Sequence, residues 1–92
     1  MQVIFYATLR QIVGARAVEI DAPEIFTVRE LLAEIIHRYP ALGREMFDED
    51  GNLYSHVRVI INGRDLSFVD DNLEARISSA DTISIFPAVG GG

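Results

Sequence analysis

The sequence contains no cysteine, no tryptophan and no lysine, and its eight basic residues are all arginine. Without cysteine the chain has no disulfide framework, no thiolate metal site and no thiol nucleophile. The two histidines, His37 and His56, lie far apart in sequence and have no neighbouring ligand set of the kind that a metal needs. We therefore expect no bound metal and no catalytic side chain.

The absence of lysine has two interpretations. Charged residues make up about a quarter of a typical chain and are shared among four types, so about five lysines would be expected here. Codon bias towards arginine is one explanation. The other is that a chain with a chemically activated C-terminus avoids carrying amines that would attack it. The sequence alone leaves both open.

Long apolar runs and a secretion signal are also missing. No run approaches the roughly 20 residues of a membrane span, and the first residues show no basic leader with a cleavage site. The 92 residues are of single-domain size, and 49% of them are hydrophobic. The formal charge of −6 at pH 7 disfavours binding to nucleic acid, which needs a basic face. We expect a single-domain cytoplasmic protein that binds neither nucleic acid nor membrane.

The clearest predicted element is an amphipathic helix over residues 28–39. Its apolar residues fall on one stripe of a 3.6-residue period: Val28, Leu31, Leu32, Ile35, Ile36 and Tyr39. Thr27 followed by Glu30 forms a capping box at its start, and Pro40 ends it. The width of the apolar stripe predicts that this helix packs across a sheet.

Strand patterns surround this helix. β-branched and aromatic residues predict strands over 2–8, 17–21, 57–61, 64–69 and 82–86. A turn is predicted over 9–16, a short helical turn from Pro40 to Phe47, and irregular structure or a helical turn over 73–80. Asn62-Gly63 is a strong hairpin signal because both central positions of a type I′ turn need a positive φ. The predicted class is α+β, a mixed sheet with one main helix packed across it.

The chain ends in three glycines, Gly90, Gly91 and Gly92. Pro87 has no backbone donor and should end the last strand, which predicts a folded domain over 1–87 and a flexible tail over 88–92. Glycine has no Cβ, so such a tail fits a narrow channel, and residues 87–92 reach about 20 Å when extended. A frayed end without function is the alternative.

Several segments, in this order along the chain, resemble the MoaD/ThiS family, and most closely its longer archaeal-type MoaD branch, which includes small ubiquitin-like modifiers. They are Phe5-Tyr6-Ala7-Thr8-Leu9-Arg10, the Thr27-capped helix ending in Arg38-Tyr39-Pro40, Asp50-Gly51, Val59-Ile60-Ile61-Asn62-Gly63-Arg64-Asp65, and 81–92. The usual ending of this branch is Phe-Pro-Pro-Val-Ala-Gly-Gly. Here Ala88 replaces the second proline and Gly90 the alanine, while Gly91-Gly92 is intact.

The resemblance implies a ubiquitin-like β-grasp fold and sulfur-carrier chemistry. An adenylating enzyme of the ubiquitin-activating type would use ATP to activate the Gly92 carboxylate, and sulfur would then replace AMP to give a thiocarboxylate. Gly90 and Gly91 would let the tail enter an active site. The chain itself would bind no cofactor, since ATP is used by the activating partner.

The resemblance also implies a partner surface at Tyr6, Arg10, Phe86, Pro87 and Val89, although burial of Tyr6 in the core is an equal alternative. The leading function is that of the small subunit of molybdopterin synthase, which donates sulfur inside a larger catalytic subunit. A carrier for cysteine or thionucleoside synthesis, and a protein modifier joined through Gly92 to lysines of targets, are the alternatives. An interaction module with an inert tail is the fourth.

Overall fold

The computed structural model describes residues 1–21 and 25–87, with only the backbone of Ile25. A five-stranded sheet has the strand order β2-β1-β7-β4-β5, in which β1 and β7 are parallel and the other neighbours antiparallel. A second, two-stranded sheet pairs β3 with β6. The strands are β1 (Gln2–Phe5), β2 (Ala17–Glu19), β3 (Ile25–Thr27), β4 (Arg58–Ile61), β5 (Arg64–Asp65), β6 (Arg76–Ser78) and β7 (Thr82–Phe86). The helices are α1 (Ala7–Val13), α2 (Val28–Arg38) and α3 (Leu42–Met46), and two 3₁₀ turns span Leu66–Phe68 and Asn72–Glu74.

The main helix, α2, is confirmed. The Glu30 N–H donates to Thr27 Oγ1 at 3.2 Å, and the Thr27 N–H donates to Glu30 Oε1 at 3.0 Å, so the predicted capping box is present. The first four positions of the predicted stripe are buried, whereas Ile36 and Tyr39 are half-buried. The apolar side chains near the C-terminal end of α2 are therefore only partly covered by the core.

The Asn62-Gly63 hairpin is also confirmed. Asn62 has a φ of 50° and Gly63 a φ of 88°, as the turn requires. The Asn62 side chain accepts a hydrogen bond from the Thr82 N–H at 2.9 Å and donates one to Asp81 Oδ1 at 2.8 Å. The turn is thus tied to the start of β7.

The predictions of a strand over 2–8 and a turn over 9–16 were wrong beyond Phe5. The backbone turns at Ala7, whose φ is 53°, and helix α1 follows. Leu9 buries its side chain in the core, and Gly14 ends the helix in the left-handed conformation, with its N–H bonded to the Arg10 carbonyl at 2.8 Å. Only one face of β1 is buried, through Val3 and Phe5.

Two further predictions need correction. The return strand over 64–69 is only two residues long, because the Asp65 carboxylate accepts the Ser67 N–H at 2.9 Å and starts a 3₁₀ turn. Strands β3 and β6 were not predicted. Their partners lie about fifty positions apart, with Phe26 opposite Ile77, and neither segment is long enough for a visible alternation.

The core lies between the five-stranded sheet and the helices. Its largest fully buried side chains include Phe5, Leu9, Leu31, Ile35, Ile83 and Ile85. The predicted α+β class, with a mixed sheet and one main helix across it, is confirmed. In the described ranges no helix is both long enough and apolar enough to cross a membrane.

Candidate functional site: the outer sheet face at the end of β7

The face of the five-stranded sheet opposite the core is here called the outer face. Side chains alternate along a strand, and Ile83 and Ile85 of β7 point into the core. Thr82, Ser84 and Phe86 of the same strand therefore point outwards, and all three are half-buried. In the neighbouring strands Ile4 and Ile60 both lie opposite Ser84.

At the end of β7 two aromatic rings stack. The ring centroids of Tyr6 and Phe86 are 4.1 Å apart and the ring planes differ by 13°. The Tyr6 N–H donates to the Ile85 carbonyl at 3.2 Å, which fixes Tyr6 beside the last residue of β7. Both residues are half-buried, so Tyr6 is neither a core residue nor a freely exposed one.

Helix α1 adds a cation to this pair. The Arg10 guanidinium carbon is 5.4 Å from the centroid of the Tyr6 ring, within the range of a cation–π interaction. Arg10 Nε also donates to the Phe5 carbonyl at 3.0 Å, which holds the side chain over the ring. Tyr6, Arg10 and Phe86, which the sequence placed on one partner surface, are therefore in contact. We call these three residues the aromatic–arginine cluster.

A second arginine lies close by and was missed in the sequence. Arg58 is opposite Phe86 in the β4–β7 register, with its side chain 68% exposed. Its Nη1 pairs with Asp65 Oδ2 at 3.1 Å. Hydrogen bonds from the Ser67 backbone and hydroxyl, aided by Arg58, lower the pKa of Asp65. The only sequence signal for Arg58 was its polar position inside an apolar strand.

The described residues end next to this cluster, at Pro87. Pro87 is half-buried and directly succeeds Phe86, at the end of a strand that has neighbours on both sides. The predicted tail residues Val89, Gly90, Gly91 and Gly92 lie outside the described residues. Phe86, which directly precedes Pro87, stacks on Tyr6, so the cluster lies one residue from the last described position.

Other chemistry finds little support in the described part of the chain. There, no three or more histidine or acidic side chains are grouped so that they could hold a metal ion. His37 is exposed on α2, and the His56 ring stacks on Tyr54 with centroids 4.9 Å apart. In the described residues, the aromatic–arginine cluster beside Pro87 is therefore the candidate site.

Known proteins match the chain over most of its length. The model of the ThiS family matches residues 3–92. The small archaeal modifier protein 1 of Haloferax volcanii is 32% identical over 87 residues, which are 95% of this chain and 94% of that protein. Its crystal structure superposes with a TM-score of 0.86, covering 100% of this chain and 98% of the other.

Two further solved structures are similar. A crystal structure of the BexX/CysO complex of Amycolatopsis orientalis contains a chain that is 29% identical, with a TM-score of 0.81 and coverage of 99% and 98%. A candidate molybdopterin converting factor, subunit 1, from Pyrococcus furiosus is 30% identical, with a TM-score of 0.74 and coverage of 96% and 95%.

These similarities identify the fold and the family of the chain. The fold is the ubiquitin-like β-grasp that the sequence predicted. With a family match from residue 3 to residue 92, the chain belongs to the ThiS family, a group of ubiquitin-like sulfur carriers and modifiers. The predicted resemblance to the MoaD/ThiS family is confirmed.

Proposed function

We propose that this protein is a sulfur carrier that works through its last residue. The domain over 1–87 is the folded part, and residues 88–92 form the working tail. An adenylating enzyme of the ubiquitin-activating type transfers AMP from ATP to the Gly92 carboxylate and releases pyrophosphate. A sulfur nucleophile then attacks the acyl carbon, AMP leaves, and a thiocarboxylate remains.

The observation that carries this proposal is the family match, which extends through the terminal glycines to residue 92. A carboxylate is a poor electrophile, and the acyl-adenylate supplies the leaving group that it lacks. Gly90 and Gly91 add no side chain that would clash with the walls of a narrow channel. The carrier itself binds no cofactor, because ATP is bound and used by the partner.

The folded domain has a supporting role in this proposal. The aromatic–arginine cluster is the docking surface for the activating enzyme and for the sulfur acceptor, together with Pro87 and Val89. Aromatic and arginine side chains are common among residues that dominate binding energy. Because Tyr6 is fixed by a backbone hydrogen bond and by the stack with Phe86, little side-chain freedom is lost on binding.

For the sulfur acceptor we propose the large subunit of molybdopterin synthase, so that this chain would be the small subunit of that enzyme. Similarity to the Pyrococcus furiosus protein supports this acceptor. Cysteine synthesis and thionucleoside synthesis are the other acceptor classes. They use the same thiocarboxylate, so the carrier chemistry does not depend on which acceptor is correct.

A second function, protein modification, has support of its own. The small archaeal modifier protein 1 of Haloferax volcanii is similar along nearly its whole length. In this alternative a target lysine attacks the activated Gly92 and forms an isopeptide bond. The chain contains no lysine, so it would not build lysine-linked chains on itself.

The carrier proposal is tested with the purified chain, a candidate activating enzyme, ATP and a sulfide donor. The intact mass should rise by the difference between one sulfur and one oxygen atom. Deletion of Gly92 should abolish the change. Ala88→Pro, which restores the usual family residue in the same tail, is the matched control and should still react. An unchanged mass with every activating enzyme of the source cell would refute the carrier function.

The modifier alternative is tested in cell extracts. An antibody against the chain should detect heavier conjugates that disappear when Gly92 is deleted. Tryptic fragments of those conjugates should carry the tail on a target lysine. A single free band with both the wild-type and the deleted chain would argue for the carrier function alone.

A further inference from the structure

An apolar groove lies on the helical side of the molecule, away from the outer face. It has a volume of about 260 Å³ and runs between α2, the segment after α3 and the second 3₁₀ turn. Its lining residues are Arg29, Leu32, Ala33, Ile36, Phe47, Gly51 and Leu73. None of them belongs to β1, β4 or β7, so the groove is separate from the site at the root of the tail.

One wall of the groove is the part of α2 whose apolar side chains are only partly covered by the core. Leu32 is buried, Ile36 is half-buried, and Ala33 is exposed. Phe47 and Leu73 on the opposite wall are half-buried as well. An apolar groove with partly exposed aliphatic and aromatic walls can bind one bulky apolar side chain.

Two segments that adjoin lining residues of the groove, here called the acidic rim, are rich in carboxylates. Gly51 and Leu73 line the groove, and the adjoining segments 48–50 and 70–74 hold six carboxylates and no basic residue. Arg29 lies at one end, but its guanidinium is bound to the Glu74 carboxylate. Among the described residues, the other five carboxylates of these two segments form no ion pair.

We propose that this groove is a second docking site, and that its occupant is a basic segment of another protein that inserts one bulky apolar side chain between arginines or lysines. The apolar floor matches the inserted side chain, and the acidic rim matches the flanking cations. Opposite potentials on the two surfaces also speed the encounter.

Charge argues against the other possible occupants. A second copy of this chain carries the same net charge of −6 and the same acidic rim, so the two would repel each other. The tail segment 88–92 contains no basic side chain to match the rim. Because the groove and the tail root lie on different faces, one copy can hold an activating enzyme or acceptor and a basic partner at the same time.

The test uses the full chain and a synthetic peptide with one phenylalanine flanked by arginines. In methyl NMR spectra the peptide should shift the signals of Leu32, Ile36 and Leu73. A peptide with glutamates in place of the arginines should not. Binding should weaken several-fold between about 0.05 and 0.5 M salt, since rim charges on a surface are screened over this range.

Two arginine substitutions on the same helix separate the groove from general charge effects. Ala33→Arg fills the groove at an exposed position and should lower the peptide affinity by about tenfold or more, the size expected for the centre of a contact. His37→Arg adds the same side chain at another exposed position of α2 that does not line the groove. It should leave the affinity within about twofold, because it adds the same charge nearby without filling the groove.

Four outcomes would overturn the proposal: methyl shifts confined to Ile4 and Ile60 on the outer face, equal binding of the glutamate peptide, no shift at the groove at millimolar peptide, or unchanged affinity in Ala33→Arg. Two controls address the other occupants. A dimer in sedimentation that Ala33→Arg dissociates would assign the groove to a second copy, and shifts at the groove on deleting residues 88–92 would assign it to the tail. The mass change at Gly92 is measured without the peptide, so the two proposals fail separately.

Discussion

Phe86→Ala removes one ring of the stack at the root of the tail, and the structure allows its cost to be worked out. Burying a large apolar side chain completely is worth about 1.5–3 kcal/mol, and Phe86 is half-buried, so about half of that is lost. Stacking at a centroid distance of 4.1 Å belongs to the class of aromatic pairs that add about 0.5–1.5 kcal/mol. The free energy of unfolding should fall by about 1–3 kcal/mol.

Urea unfolding monitored by circular dichroism measures this change. The midpoint should fall while the slope with denaturant stays constant, since the native fold is kept. In a double-mutant cycle with Tyr6→Ala, the coupling energy should be about 0.5–1.5 kcal/mol. Either single substitution already removes the stack, so the double variant loses no further stacking energy. For a chain of this length, each 1 kcal/mol lowers Tm by about 4–8 °C.

The matched control is Phe68→Ala. Phe68 is the same residue type with 78% of its surface exposed, so its removal should change stability by less than about 0.5 kcal/mol. If the two alanine variants cost the same, or if the coupling between Tyr6 and Phe86 is indistinguishable from zero, the stack is not an energetic feature. The description of Tyr6 as fixed at the tail root would then be refuted.

Three other predictions concern the fold. Ile35→Ala should cost about 2–5 kcal/mol by cavity formation, whereas Ile36→Ala beside the groove should cost clearly less, and equal costs in chemical unfolding would contradict the burial pattern. Thr27→Ala should cost about 0.5–2 kcal/mol through loss of the capping box, whereas Thr8→Ala, at an exposed position of α1, should cost little. Asp65 has a lowered pKa in the folded state, so its carboxylate stabilises the fold above its unfolded pKa and this stabilisation is lost as pH falls through the folded pKa. Unfolding free energies of Asp65→Asn should therefore depend less on acid pH than those of the wild type, and identical profiles would be evidence against this interpretation.

The parts of the fold that were predicted from the sequence are those with local signals. Thr27, Glu30 and the apolar stripe specify α2 within a dozen residues, and Asn62-Gly63 specifies its hairpin by backbone geometry alone. Helix α1 was missed because β-branched and aromatic residues run directly into it. Its start depends on the backbone at Ala7, and its packing depends on Leu9 reaching a distant core. Strands β3 and β6 stabilise each other across the chain, and neither carries a pattern of its own.

The candidate site was predicted less directly. Tyr6, Arg10 and Phe86 were grouped through the family resemblance, and periodicity alone could not have placed them together. Whether Tyr6 was core or surface could not be decided without the stack, because a half-buried ring satisfies both patterns. Arg58 escaped notice because its place opposite Phe86 depends on the register of β4 on β7. The groove was missed because Ile36 was counted with the core.

The mass of the C-terminal tryptic peptide from the native cell tests the central claim most directly. Since the chain has no lysine and Arg76 is its last arginine, trypsin releases residues 77–92 as one peptide. We predict a fraction of this peptide in which one oxygen of the Gly92 carboxyl group is replaced by sulfur, located by fragmentation to the last residue. A peptide that always carries an ordinary carboxylate, in cells that contain the activating enzyme and a sulfur source, would contradict the sulfur-carrier function.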